Sequence, residues 1–104
     1  MITVSVLYPN QDGASFDHDY YKDKHIPLVA ERLGSALKNV TVERGLAGGA
    51  PGAPAPFVAI AHLSFDSVED FQNSFGPHAE EILADIPNYT AIPATFQVSE
   101  VTKS

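Results

Sequence analysis

The sequence predicts an α+β fold of element order βαββαβ, a four-stranded antiparallel sheet with two helices on one face. Three observations predict it. Two segments carry capped, helix-period apolar patterns, and four carry strand patterns separated by turn residues. The connections are short, and right-handed crossovers then favour this arrangement over alternatives. Finally, the third strand is apolar on both faces, which extends the prediction to a sheet covered on its other side, as in a dimeric α+β barrel.

Ile2–Tyr8 alternates, with Ile2, Val4, Val6 and Tyr8 on one face and Thr3, Ser5 and Leu7 on the other. The run from Pro9 to Gly13 is turn chemistry and ends the strand. Asp17 is suited to cap a helix, because its carboxylate can accept free amide hydrogens of the first turn. That helix runs through Tyr20, Tyr21 and His25 to Leu33, with Gly34 as its C-cap and Leu37 in a further turn if the helix continues. Pro27 interrupts it. Proline removes a backbone donor and its ring collides with the carbonyl of Asp23, so a bend or restart is expected beside His25.

Val40, Val42 and Leu46 share one face of the second strand, with Thr41 and Glu43 opposite. Ala47–Pro56 is rich in Gly, Ala and Pro and reads as a mobile hairpin loop. Phe57–Phe65 is an uncharged strand. Ser67 starts the second helix in a Ser-x-x-acid pattern, and Val68, Phe71, Phe75, Ala79, Ile82 and Ile86 follow its apolar face. Gly76-Pro77 predicts a kink there. Tyr89–Val101 is expected to be the last strand, broken at Pro93 and therefore at an edge.

The two faces of the third strand carry a further consequence. Phe57, Ala59, Ala61, Leu63 and Phe65 lie on one side; Val58, Ile60 and His62 lie on the other. Both helices cover the same side. A second copy of the sheet is the simplest cover for the remaining face, which predicts a symmetric homodimer with a barrel at its centre.

The 104 residues suffice for a single domain with one core. Thirteen acidic and six basic side chains give a net charge of −7. That balance argues against nucleic acid and against an anionic membrane surface as partners. There are no cysteines, which excludes disulfides, iron–sulfur clusters, thiolate zinc sites and a cysteine nucleophile. No apolar stretch is long enough for a membrane helix, and MITVSVLYPN reads as a strand rather than a signal peptide. The expected location is the cytoplasm.

Chemistry centres on His25. Tyr21 and His25 are four apart and share a helix face, continued by Leu28 and Val29. Together they form an apolar wall with two polar tips, one able to move a proton near neutral pH. With Phe75 from the second helix, they define a predicted small-molecule pocket. A structural histidine beside the kink is the other role open to His25. His62 interrupts an apolar strand; it is either a second site residue or a hydrogen-bonded core or interface histidine. Tyr8 ends the first strand and can bring its hydroxyl to the same mouth. His18 and His78 are expected to be exposed. The histidine spacings form no metal-ligand pattern, and there is no phosphate loop or dinucleotide fingerprint. Neither a metal nor a cofactor is expected.

The run VLYP closing the first strand, FDHDYYKDKHIPL from Phe16 to Leu28, and DIPNY before the last strand resemble the EthD family. The resemblance covers almost the whole chain. It implies a ferredoxin-like protomer that pairs its sheet in a dimeric α+β barrel. It also implies a pocket between sheet and helices, with His25 as the characteristic histidine. Members are often labelled reductases; relatives of the same superfamily include lactone isomerases, cofactor-free monooxygenases, polyketide cyclases and haem-binding proteins. The chain shows no redox group and no matching haem ligand. The leading expectation is cofactor-independent acid–base chemistry on a small apolar lactone, enol or phenol, as isomerase, cyclase or oxidoreductase. His25 would transfer the proton, and Tyr21, Tyr8 or His62 would bind a developing oxyanion. The alternative is a non-catalytic binding or accessory dimer that supports a monooxygenase or degradation pathway.

Overall fold

A computed structural model describes residues 1–104. Four strands form one sheet: β1 (Ile2–Pro9), β2 (Asn39–Arg44), β3 (Phe57–Phe65) and β4 (Thr95–Glu100). Their order is β2-β3-β1-β4, and every neighbouring pair is antiparallel. This is the ferredoxin-like α+β arrangement. The two strands with the longest apolar alternation occupy the centre, where both edges are paired. Register places Val4 opposite Leu63 and Val98, Tyr8 opposite Ala59, and Val6 opposite Phe96, so these residues share the helix-facing side. Ile2, Val4, Tyr8, Ala59, Ala61, Leu63 and Phe65 are buried there.

The first helical arm has four parts: α1 (His18–Tyr20), a π-helical turn (Tyr21–His25), α2 (Ile26–Leu33) and a 3-10 turn (Gly34–Ala36). Asp17 caps it, its Oδ1 accepting from the Tyr20 amide at 3.0 Å. The interruption expected at Pro27 takes the form of this wide turn. The Ile26 amide donates back to the Tyr21 carbonyl, five residues away, which relieves the clash a regular helix would force on the proline ring. Gly34 ends α2 at φ +60°, where a side chain would be strained.

The second arm runs α3 (Val68–Phe75), a 3-10 turn (Gly76–His78), α4 (Ala79–Ala84) and a last 3-10 turn (Ile86–Asn88). Ser67 caps α3 by accepting from the Asp70 amide at 3.0 Å. The predicted kink at Gly76-Pro77 falls between α3 and α4. No helix is long and apolar enough to cross a membrane.

Several expectations are corrected. The last strand begins at Thr95 rather than Tyr89. The chain before Pro93 is held elsewhere: Thr90 pairs with Phe16, and its Oγ1 donates to the Ser15 carbonyl at 2.8 Å. Leu46 lies beyond β2 and is exposed; at Gly45, whose amide still donates to the Val58 carbonyl at 3.0 Å, a Cβ would meet the Phe57 carbonyl oxygen. The segment 47–56 is a hairpin connection closed by the Gly48 amide on the Ala53 carbonyl and pinned by Asn10 to Ala55 and Pro56. His18 and His78 are half-buried rather than exposed, and His18 packs on the Phe16 ring. On the helix-free face the apolar surface is narrower than the third strand implied. Leu7, Val58 and Ile60 form a half-buried central strip, while β2 and β4 contribute Thr41, Glu43, Thr95, Gln97 and Ser99 around it.

Candidate functional site

A cavity of about 310 Å³ lies between the sheet and both helical arms. Seventeen residues line it and sixteen are hydrophobic; the exception is His25. One titratable nitrogen-bearing side chain therefore sits in an otherwise hydrocarbon and tyrosine wall, which makes it the place to look for chemistry.

The π turn sets its position. Widening the helix between Tyr21 and His25 turns both rings toward the sheet and stacks them, with centroids 5.6 Å apart and planes 15° apart. Tyr21 and His25 are both buried. The His25 Nδ1 lies 2.9 Å from Asp85 Oδ2, at the junction of α4 and the last 3-10 turn. Asp85 is itself held: Oδ1 accepts from the Tyr20 hydroxyl at 2.7 Å and from Asn88 Nδ2 at 2.8 Å.

This network fixes the imidazole's protonation. Burial pulls the His25 pKa below its ordinary value, and the Asp85 carboxylate only partly opposes it. Burial alone would raise Asp85, but the bonds from Asn88, His25 and Tyr20 outweigh it and hold the carboxyl below its usual range. At about pH 7 the pair is thus a neutral imidazole beside a carboxylate. A carboxylate accepts only, so the proton sits on Nδ1 and Nε2 carries the lone pair. Nε2 has no partner within the protein, and no buried polar side-chain atom is left unpaired. It therefore opens onto the cavity. Tyr21 lines the same cavity, with its hydroxyl beside that of Tyr8.

Tyr8 rises from β1 beneath these rings. Its hydroxyl shares a 2.5 Å hydrogen bond with that of Tyr89, whose ring leans on both Tyr21 and His25. Phe16 packs edge-on against Tyr8 and Tyr21, completing an aromatic cluster. Burial pushes the phenols of Tyr8, Tyr21 and Tyr89 up, so all three remain hydroxyl donors across the physiological range.

Of the residues singled out from sequence, His25, Tyr21, Tyr8, Val29 and Phe75 line this cavity. Leu28 does not. It is half-buried outside it, and Ile26 takes that place, because the wide turn advances the helix face. His62 is also elsewhere, on the helix-free side of the sheet, between Ser5 Oγ at 3.2 Å and Glu43 Oε1 at 3.3 Å. No sequence pattern assigns Asp85, Asn88, Tyr89 or Tyr20 to the site. Asp85 is sixty residues from His25, and no local pattern joins them. The signal present was DIPNY, which contains three of the four.

The EthD domain family model matches residues 10–93, and the chain belongs to this family. It is 51% identical to an EthD-like protein of Ralstonia eutropha JMP134, with a TM-score of 0.94; the match covers 99% of this chain and 93% of that one. An ethyl tert-butyl ether D family protein of Bacillus halodurans C-125 aligns at 19% identity and TM-score 0.74, covering 96% of this chain and 97% of that one. A dimeric ferredoxin-like protein of unknown function from Thermobifida fusca YX shares the fold at 17% identity and TM-score 0.57, covering 96% of this chain and 90% of that one. No curated protein matches.

Proposed function

We propose that this EthD-family protein binds a small apolar organic molecule between sheet and helices and transfers a proton with His25. The observation behind this is the neutral Nε2 of His25, open to a hydrocarbon cavity while Nδ1–H is anchored on Asp85. Nε2 takes a proton from a carbon beside a carbonyl, as in a lactone or ketone, or from an enol or phenol. The imidazolium that forms is stabilised by Asp85, whose charge is already oriented by Tyr20 and Asn88. Tyr21, with Tyr8 behind it, donates to the oxygen on which charge develops. Isomerisation and cyclisation need no more than these two proton positions.

The test uses deuterium exchange at the acidic carbons of a panel of cyclic ketones and lactones, followed by proton NMR. Wild-type protein accelerates exchange of at least one member. His25→Ala lowers that rate by roughly 10²–10⁴-fold, the usual worth of a placed general base. Exchange unaffected by the substitution would remove the acid–base role. Binding without any exchange would favour the carrier or accessory role instead.

We further propose that a second copy covers the Leu7, Val58 and Ile60 strip. A fold neighbour described as dimeric supports this. Native mass spectrometry of the purified chain should give twice the 11.1 kDa protomer mass.

A further inference from the structure

The same cavity carries information about ligand charge, and the inference here rests on the acid–base reading of His25. No lysine or arginine is among the lining residues. The ionised group nearest its polar end is a carboxylate, Asp85, directly behind His25. The imidazole is neutral, so it offers no countercharge, and the phenols lining the cavity are uncharged donors. The opposite end is apolar to its rim. Phe96 and Val98 face the helix side of β4 yet remain 50% and 45% exposed, and Leu83 of α4 stands exposed in the same lining. The cavity thus has one polar head, made of an acceptor at His25 Nε2 and a donor at Tyr21, and a hydrocarbon body that opens at the β4 edge.

We propose that the site takes an uncharged molecule with a single oxygen-bearing head, a cyclic ketone, lactone or phenol on a hydrocarbon ring body, and rejects the carboxylate of the same skeleton. An anion seated at the head would lose its water, gain no cation, and face the charge of Asp85. A neutral carbonyl or hydroxyl gains a hydrogen bond and buries its rings against aliphatic and aromatic side chains.

The experiment is a protein-observed NMR titration with 2-naphthol and 2-naphthoate at neutral pH, where the first is neutral and the second ionised. 2-Naphthol is expected to shift the amides of Val4–Tyr8 and Tyr21–Val29, with an affinity roughly tenfold or more above that of 2-naphthoate. Val98→Lys places a cation at the open rim, on a side chain that is already half-exposed. It should raise 2-naphthoate affinity relative to that of 2-naphthol, narrowing the gap between the two probes, and an unchanged ratio would contradict the charge argument. Equal affinities for the two probes in wild-type protein would overturn the selectivity and leave the proton-transfer role standing. Failure of both probes to reach these amides would overturn the ligand cavity itself, and the proton-transfer role with it.

Discussion

His25 and His62 sit on opposite sides of the same sheet, each bonded to an acidic side chain. His25 and Asp85 are 2.9 Å apart with side chains 6% and 14% exposed. His62 and Glu43 are 3.3 Å apart at 38% and 53%. The larger difference lies in the second ring nitrogen. At His62 both nitrogens have protein partners, Glu43 on one and Ser5 on the other. At His25 one nitrogen is anchored and the other faces a cavity. A histidine–carboxylate contact does not by itself make a site. A free lone pair, held in one direction and away from bulk water, is what separates a proton carrier from a surface ion pair.

The two imidazoles should differ most in what their removal costs. His25→Ala should cost the roughly 10²–10⁴-fold of a general base in the exchange assay, while His62→Ala should leave the rate within about twofold, since surface changes seldom propagate. Loss of the same size at both positions would show that the two sides of the sheet are not distinct. Asp85→Asn comes next. The amide keeps the shape but not the charge, and exchange should fall roughly ten- to a hundredfold, the range for groups that orient a histidine. Because Asp85 is the influence that raises His25, its removal should also move the pH profile of the remaining activity to lower pH. A profile that stays in place would detach Asp85 from the mechanism.

Tyr8→Phe tests the floor of the site. It strands the buried Tyr89 hydroxyl, and urea unfolding should report a loss of about 1–3 kcal/mol. A smaller effect is expected in acid. The unfolded chain takes up a proton at histidine near 6.5, whereas folded His25 does so only at lower pH. Its contribution to stability is therefore complete above 6.5 and is lost as pH falls through the folded value. Asp85 is likewise depressed from 3.8, so its contribution is present above 3.8 and is lost at still lower pH. Urea midpoints measured downward from pH 7 should decline in that order; midpoints that rise on acidification below 6.5 would mean His25 is charged in the fold.

Much of this was legible from residue types. Period-two strands, the caps at Asp17 and Ser67, and the proline after His25 all act locally, and local rules reach them. Tyr8, Tyr21, Val29 and Phe75 came from the same patterns. Asp85 did not, because its role comes from a contact across the fold between two helical arms, and a lone aspartate at a helix end resembles any other. Leu28 was displaced by a turn one residue wider than an α-helix allows. His62 was legible as a histidine in a strand but not by side, since alternation assigns a face without saying what lies on it. Tyr89 reads in sequence as the start of the last strand, and the Phe16–Thr90 pairing that holds it beneath His25 is again long-range.

The most direct measurement is the ¹⁵N NMR spectrum of the His25 ring near neutral pH. A protonated Nδ1 and an unprotonated Nε2, persisting below 6.5 as the pH is lowered, is the state predicted here. An imidazolium at pH 7, or a proton on Nε2, would leave no base facing the cavity and would contradict the proposed function at its centre.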